Sequence, residues 1–253
     1  MRNFIFLIPI MMGFNSFCQT GKEQLLVKKI ISTYSKIQIF ENEYEKSNSD
    51  EYQDSINQYN YRLFQFLSDK KFSKLNRSDL KRIVEKTQII IKISNDNRLV
   101  LVSWHVFDFY PIPMCSNIVF FDGKVKLMSL NGTANNDFGD NIQNDTIYKI
   151  TLKSKPFYIL MGSNKCGNLC IQEMASMYSI SNGNLVKCIN SFFDGKNYLT
   201  DVQFDYLINS EMKIEPNFQI QNSQLIRPIF NEDKTKIVGS KRFTITVPGV
   251  GVR

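Results

Sequence analysis

Histidine, tryptophan and glycine are scarce in this chain. Among 253 residues there is one histidine, His105, and one tryptophan, Trp104, and only 12 residues are glycine. A single imidazole excludes the multi-histidine ligand sets of catalytic zinc. It leaves one histidine able to serve as a general base. No Gly-x-Ser-x-Gly elbow is present to hold a hydrolase serine, and there is neither a glycine-rich phosphate loop nor a dinucleotide fingerprint. Long apolar runs are also missing. Phe4 to Phe14 is interrupted by Pro9 and falls short of the roughly twenty apolar residues a spanning helix needs; no later stretch comes closer. No transmembrane segment and no cofactor are therefore expected.

What is present at the N-terminus reads as an export signal. Arg2 supplies positive charge, the apolar run follows, and Ser16 and Cys18 occupy the −3 and −1 positions of a cleavage site. Residues 1–18 are read as a signal peptide, which places the protein in the periplasm or outside the cell. Phe17 stands where a lipoprotein signal carries a small residue, so lipidation of Cys18 is the less favoured alternative. Phe243 to Arg253 reads as a last strand and a tail rather than an anchor.

Cleavage after Cys18 leaves Cys115, Cys166, Cys170 and Cys188. An even number in an exported chain suggests two disulfides, with three connectivities open. Cys166 and Cys170 bracket a short loop and suit a local bridge, with Cys115–Cys188 as its complement. A chain of this size does not need such staples, so buried free thiols are the alternative. The spacings do not form two ligand pairs, and no metal site is expected.

The net charge is +7. Its densest stretch runs Lys70, Lys71, Lys74, Arg77, Lys81, Arg82, Lys86, diluted by Asp69, Asp79 and Glu85. It reads as a solvated helix face, or as a surface for an anionic envelope polymer or headgroups. The export signal and the absence of basic residues interleaved with aromatics argue against nucleic acid.

Residues 19–88 read as helical. Leu26, Ile30, Tyr34, Ile37 and Tyr44 recur at helical spacing over 22–46, and Tyr52, Ile56, Tyr59, Leu63 and Phe66 do so after a turn at 47–50. A basic loop leads to Asn76, which can cap a short third helix bearing Leu80, Ile83, Val84 and Thr87. From Ile89 to Arg253 the period becomes two. Val100, Val102, Trp104 and Val106 share one face of a strand; Leu99, Leu101, Ser103, His105 and Phe107 share the other. Both faces are largely apolar, so this strand is expected to be covered on both sides.

Further strands are expected at 117–121, 124–130, 145–153, 156–162, 170–180, 185–193, 199–208, 217–221, 224–230, 235–239 and 242–247. Pro111 and Pro113 mark an irregular loop before them. The fold class is α+β: a helical hairpin and a short third helix, then a mainly antiparallel meander closing as a barrel, a sandwich or a partial propeller. Phe120-Phe121-Asp122-Gly123-Lys124 recurs as Phe192-Phe193-Asp194-Gly195-Lys196. A duplicated blade would explain this, but the reading favoured here is that Asp-Gly is simply the commonest hairpin signal.

Val102-Ser103-Trp104, Phe121-Asp122-Gly123-Lys124-Val125 and Ser179-Ile180-Ser181-Asn182-Gly183-Asn184, behind an ending such as Asn15-Ser16-Phe17-Cys18-Gln19, resemble a group of secreted proteins of Bacteroidota. The likeness spans about residues 90–250 and implies export and a helix-plus-hairpin architecture; it carries no activity. The group has an acidic residue where this chain has His105. The resemblance also makes Ser55 and Thr146 O-glycosylation candidates, within Asp54-Ser55-Ile56 and Asp145-Thr146-Ile147.

Trp104 and His105 are the pocket candidates. Ser103 is the nearest nucleophile to His105 along the strand, but same-face neighbours lie about 7 Å apart. A glycosidase-like carboxylate pair would draw on Asp122, Asp137, Asp140, Glu173, Asp194, Asp201 and Asp205, most of them at turn positions. The Asn131–Asp145 loop is rich in oxygen donors but lacks the EF-hand pattern. Catalytic residues stay unassigned. The leading expectation is a non-catalytic envelope or secreted binding protein, with an envelope polymer or another secreted protein as partner. The alternatives are a hydrolase of glycans or peptides, and an inhibitor or immunity-type protein acting through loops 108–116 and 131–145.

Overall fold

The computed structural model describes residues 21–106, 114–129, 142–165, 169–208 and 217–247. The signal segment, Cys166 and most of loops 108–116 and 131–145 lie outside them. Among the described residues three helices precede fourteen strands: α1 (Gly21–Ser47), α2 (Asp50–Leu67) and α3 (Arg77–Lys86), then β1 (Ile90–Ile93), β2 (Leu99–Val106), β3 (Met114–Phe121) and β4 (Lys124–Ser129). These are followed by β5 (Gln143–Leu152), β6 (Lys155–Lys165), β7 (Cys170–Ser181), β8 (Asn184–Lys187), β9 (Phe192–Phe193) and β10 (Tyr198–Leu199). The chain continues with β11 (Asp201–Leu207), β12 (Gln219–Gln221), β13 (Gln224–Phe230) and β14 (Ile237–Ile245). Every pairing among the described strands is antiparallel.

The strands form three sheets: a helix-side sheet β1-β2-β3-β4, a middle sheet β11-β7-β6-β5 with β8 also on β7, and an outer sheet β10-β9-β14-β13-β12. Among the described residues no sheet closes into a barrel; the sheets stack as layers. Period-two alternation builds the stack, because each central strand sends one set of side chains each way. From β2 and β3, Val102, Trp104, Ile118 and Phe120 enter the helical layer. Leu99, Leu101, Val119 and Phe121 meet Tyr158, Leu160 and Tyr178 of the middle sheet. The other face of that sheet carries Phe157, Ile159, Met177, Val202 and Phe204, which pack on Leu225, Phe243 and Ile245 of the outer sheet. The strand expected to be covered on both sides is β2, and it is.

Local chemistry sets the boundaries. The Asn76 side chain accepts a hydrogen bond from the Asp79 amide at 3.0 Å and caps α3. The segment before it, expected as loop, contains one 3-10 turn (Phe72–Lys74) because Phe72 inserts its ring against Phe120, 5.2 Å between centroids. Asp122-Gly123 (φ +46° and +75°) makes the two-residue hairpin turn that Asp-Gly favours. The second Phe-Phe-Asp-Gly-Lys makes a longer turn in a different sheet, where the Asp194 carboxylate accepts from the Lys196 and Asn197 amides. The two copies share turn chemistry and not architecture.

Two expected strands are divided and two are joined. The 185–193 run splits because Asn190 (φ +55°) turns the chain from β8 in the middle sheet to β9 in the outer one. The 199–208 run splits as the chain returns from β10 to β11. The expected break within 235–247 is instead a bulge inside β14: Ile229 pairs with Gly239 and Phe230 with Ile237, leaving Val238 unmatched and 61% exposed.

Candidate functional site

Trp104 lines neither of the two hollows described below. It is fully buried, and its indole N–H donates to Asn60 Oδ1 at 2.8 Å. A strand turns adjacent side chains to opposite faces, so Trp104 enters the helical layer while His105 points toward the middle sheet. The two cannot form one site. Asn60 was not on the expected α2 stripe; it takes a buried position in line with Ile56, Leu63 and Leu67, and its polarity hid it.

His105 is half-buried. Burial and then the nearby Lys165 charge hold its pKa below the ordinary imidazole value. Its cross-strand neighbour is Cys115 on β3, a pairing that depends on hairpin register and was missed from the sequence. An imidazole beside a thiol is a nucleophile–base arrangement in outline. Here the thiol is buried, and both influences on His105 oppose the imidazolium that a thiolate partner needs. Ser103 is committed elsewhere: its hydroxyl donates to Asn117 Oδ1 at 2.7 Å.

The described carboxylate candidates are dispersed. Asp122 pairs with Arg98 at 2.7 Å, Asp194 with Lys241 at 2.9 Å, Asp201 with Lys187 at 2.8 Å, and Asp205 with Lys234. Hydrogen bonds from Arg98 and from the Asn197 amide, foremost among their surroundings, hold Asp122 and Asp194 below the usual carboxylate range. Glu173 is buried in β7 among residues that face the outer sheet. Asp137 and Asp140 lie outside the described residues. Asp122, Asp194, Asp201 and Asp205 are thus each paired with a different cation.

No disulfide joins two described residues. Cys115 and Cys188 are both buried and neither is in a disulfide, so the expected Cys115–Cys188 bridge is not formed. They sit in different layers, β3 and the β8–β9 bend. Cys170 is disulfide-bonded, which makes its bridge one to a cysteine outside the described residues. Ser55 is half-buried within α2. Thr146 is exposed on β5, its hydroxyl donating to Asp145 Oδ1, next to the register shift between Asn144 and Thr146. No group of potential metal ligands occurs among the described residues, and no described helix is long and apolar enough to cross a membrane.

A hollow lies where no pocket was expected. It is a groove of about 570 Å³ between α3 and β1. One wall is the α3 stripe Arg77, Leu80, Lys81 and Val84, spaced i, i+3, i+4, i+7 and so on one helix face. The other wall is Ile91 and Ile93, two apart on the edge strand β1, and the turn residues Ser94, Asn95 and Asn97. The expected α3 stripe therefore splits: Ile83 is fully buried while Val84 is 42% exposed in the groove. Its described lining holds two cations and no carboxylate. Lys81 also meets Glu85 at 3.6 Å, an exposed pair across one helical turn. A second hollow, about 250 Å³ on the outer sheet, is walled mainly by polar residues such as Asn217, Gln219 and Gln221.

Compared with known proteins, the chain matches no family model, no curated protein and no solved structure.

Proposed function

We propose that this is an exported, non-catalytic binding protein whose ligand surface is the groove between α3 and β1. The observation that carries the reading is the character of that groove: an exposed apolar floor, two cations at its wall and no acid among its described lining. Such a surface holds an apolar group bearing negative charge. It offers no acid–base pair for hydrolysis. The scatter of the other described carboxylates over separate ion pairs supports the same reading. Export rests on residues 1–18, and a disulfide at Cys170 suits an oxidising compartment; Cys166 is its proposed partner. The exposed Thr146 remains the better placed of the two glycosylation candidates, since Ser55 is half-buried.

The test uses 1-anilinonaphthalene-8-sulfonate, an apolar dye with one negative charge. Titration into the native protein should give blue-shifted emission saturating near one dye per chain. Val84→Glu and Ile93→Glu, at positions 42% and 37% exposed, should remove that emission and leave the circular dichroism unchanged. Emission that does not saturate, or that survives both substitutions, would end the assignment of the groove.

A further inference from the structure

The groove is bounded on one side by the edge of a sheet, and this narrows what can fill it. β1 stands at the end of the helix-side sheet, and among the described residues it pairs with β2 alone. An edge strand presents backbone N–H and C=O groups along its outer side, and an extended chain can pair with them. Beside that edge the side chains of Ile91 and Ile93 repeat every second residue, the spacing at which an added strand would place its own side chains. α3 lines the other side of the groove.

The charge is arranged along its length. Because α3 and β1 are joined through Thr87, Gln88 and Ile89, Val84 and Ile91 lie toward the joined end. Arg77, with Asn95 and Asn97 of the hairpin turn, lies toward the open end. Apolar surface therefore gives way to positive and polar surface in one direction. Lys81 stands between, in an exposed contact with Glu85, the kind of pair that is given up at little cost.

We propose that the occupant is an extended peptide segment that adds to β1 as a fifth strand of the helix-side sheet. Its apolar residues lie over Val84 and Ile91, and its acidic residues reach Arg77 and Lys81. This rests on the groove being the ligand surface. A lipid is the less suited occupant, since a site for an acyl chain encloses most of it, whereas Val84 and Ile93 are reached by solvent.

The experiment is fluorescence anisotropy on the native protein. The probe is a fluorescein-labelled six-residue peptide, three β-branched apolar residues followed by three glutamates. Saturable binding is expected, with slowed amide exchange at Ile90–Ile93. The same peptide N-methylated at alternate amides keeps every side chain but cannot pair as a strand, and should bind roughly tenfold more weakly or worse. The double variant Arg77→Glu, Lys81→Glu should bind the parent peptide about tenfold more weakly; both positions are exposed, so the fold is kept. Equal binding of the N-methylated peptide would overturn the proposal. So would oleate displacing the naphthalene-sulfonate dye where the peptide does not. A groove that takes the dye but no peptide overturns the peptide alone; one that takes neither removes the ligand surface as well.

Discussion

The two faces of the helix-side sheet are held by different means. Toward the helices, Val102, Trp104, Ile118 and Phe120 sink into an apolar layer, and the Trp104 indole meets the single side chain of Asn60. Toward the middle sheet, Leu99, Leu101, Val119 and Phe121 make a comparable apolar contact. That face also carries a buried polar network. Ser103 donates to Asn117 Oδ1, the Asn144 amide donates to the same oxygen at 3.1 Å, and Asn117 Nδ2 donates to the Ile142 carbonyl at 2.8 Å. The difference follows from what each contact must fix. Knobs of unequal size position a helix on a sheet. Two stacked apolar sheets can slide, and directional bonds from Asn117 to the backbone entering β5 remove that freedom. Gly162 tightens the same corner, since a Cβ there would lie 2.2 Å from the Gln143 carbonyl oxygen.

The helix face should fail by loss of volume. Trp104→Ala removes the largest fully buried side chain and should cost about 3–5 kcal/mol, measured as a shift of the urea midpoint at unchanged slope. A loss under about 1 kcal/mol would show that the helices do not rest on this ring. Trp104→Phe sharpens the point: most of the volume stays, and the remaining loss reports the bond to Asn60.

The sheet face should fail by orphaned polar groups. Asn117→Ala leaves the Ser103 hydroxyl, the Asn144 amide and the Ile142 carbonyl without this partner, all of them within the stack, and should cost about 2–3 kcal/mol. Ser103→Ala should add little once Asn117 is gone, because the two act as one network. Strict additivity in the double-mutant cycle would break the comparison and reduce this face to apolar packing as well.

Much of this division was legible in the sequence. The alternation from Leu99 to Phe107 told that β2 is covered on both sides, and the Asp-Gly signal placed the β3–β4 turn beside it. The same alternation puts Trp104 and His105 on opposite faces. Other features could not be read, because they depend on registers fixed only in the folded chain. Cys115 opposite His105 is one, and the passage from β8 to β9 between sheets is another. Asn60 was missed because a polar residue at a core position looks like a break in the stripe until its partner is known. The groove had a trace in sequence, the basic run through Arg77 and Lys81, but its apolar half was absorbed into the core stripe of α3. Turns at Lys153-Ser154 and Asn222-Ser223 also adopt left-handed φ values without glycine, so residue type signalled them weakly.

At the rim of the sheet face a third contact sets the smallest expected effect. Asp96, in the β1–β2 turn, reaches across to the middle sheet, accepting from the Tyr158 hydroxyl at 2.9 Å and pairing with Lys149 at 3.2 Å. Burial pushes its carboxyl up, but the bonds from Ser94, Tyr158, Lys149 and the Arg98 amide outweigh burial and hold it at about 2. Tyr158 is pushed up to about 12, by burial first and by Asp96 next, and so stays a donor. A carboxyl with a lowered folded-state pKa binds its proton more readily in the unfolded chain. Its stabilisation is therefore complete above about pH 4 and disappears as the pH falls through about 2. Screening at this partly solvated site leaves about 1 kcal/mol of the shift. Asp96→Asn should accordingly lower stability by about that amount at pH 7 and flatten the stability profile between pH 4 and 2. A variant that keeps the wild-type acid slope would place the titrating group elsewhere, and would remove the Asp96 contact from what holds this face.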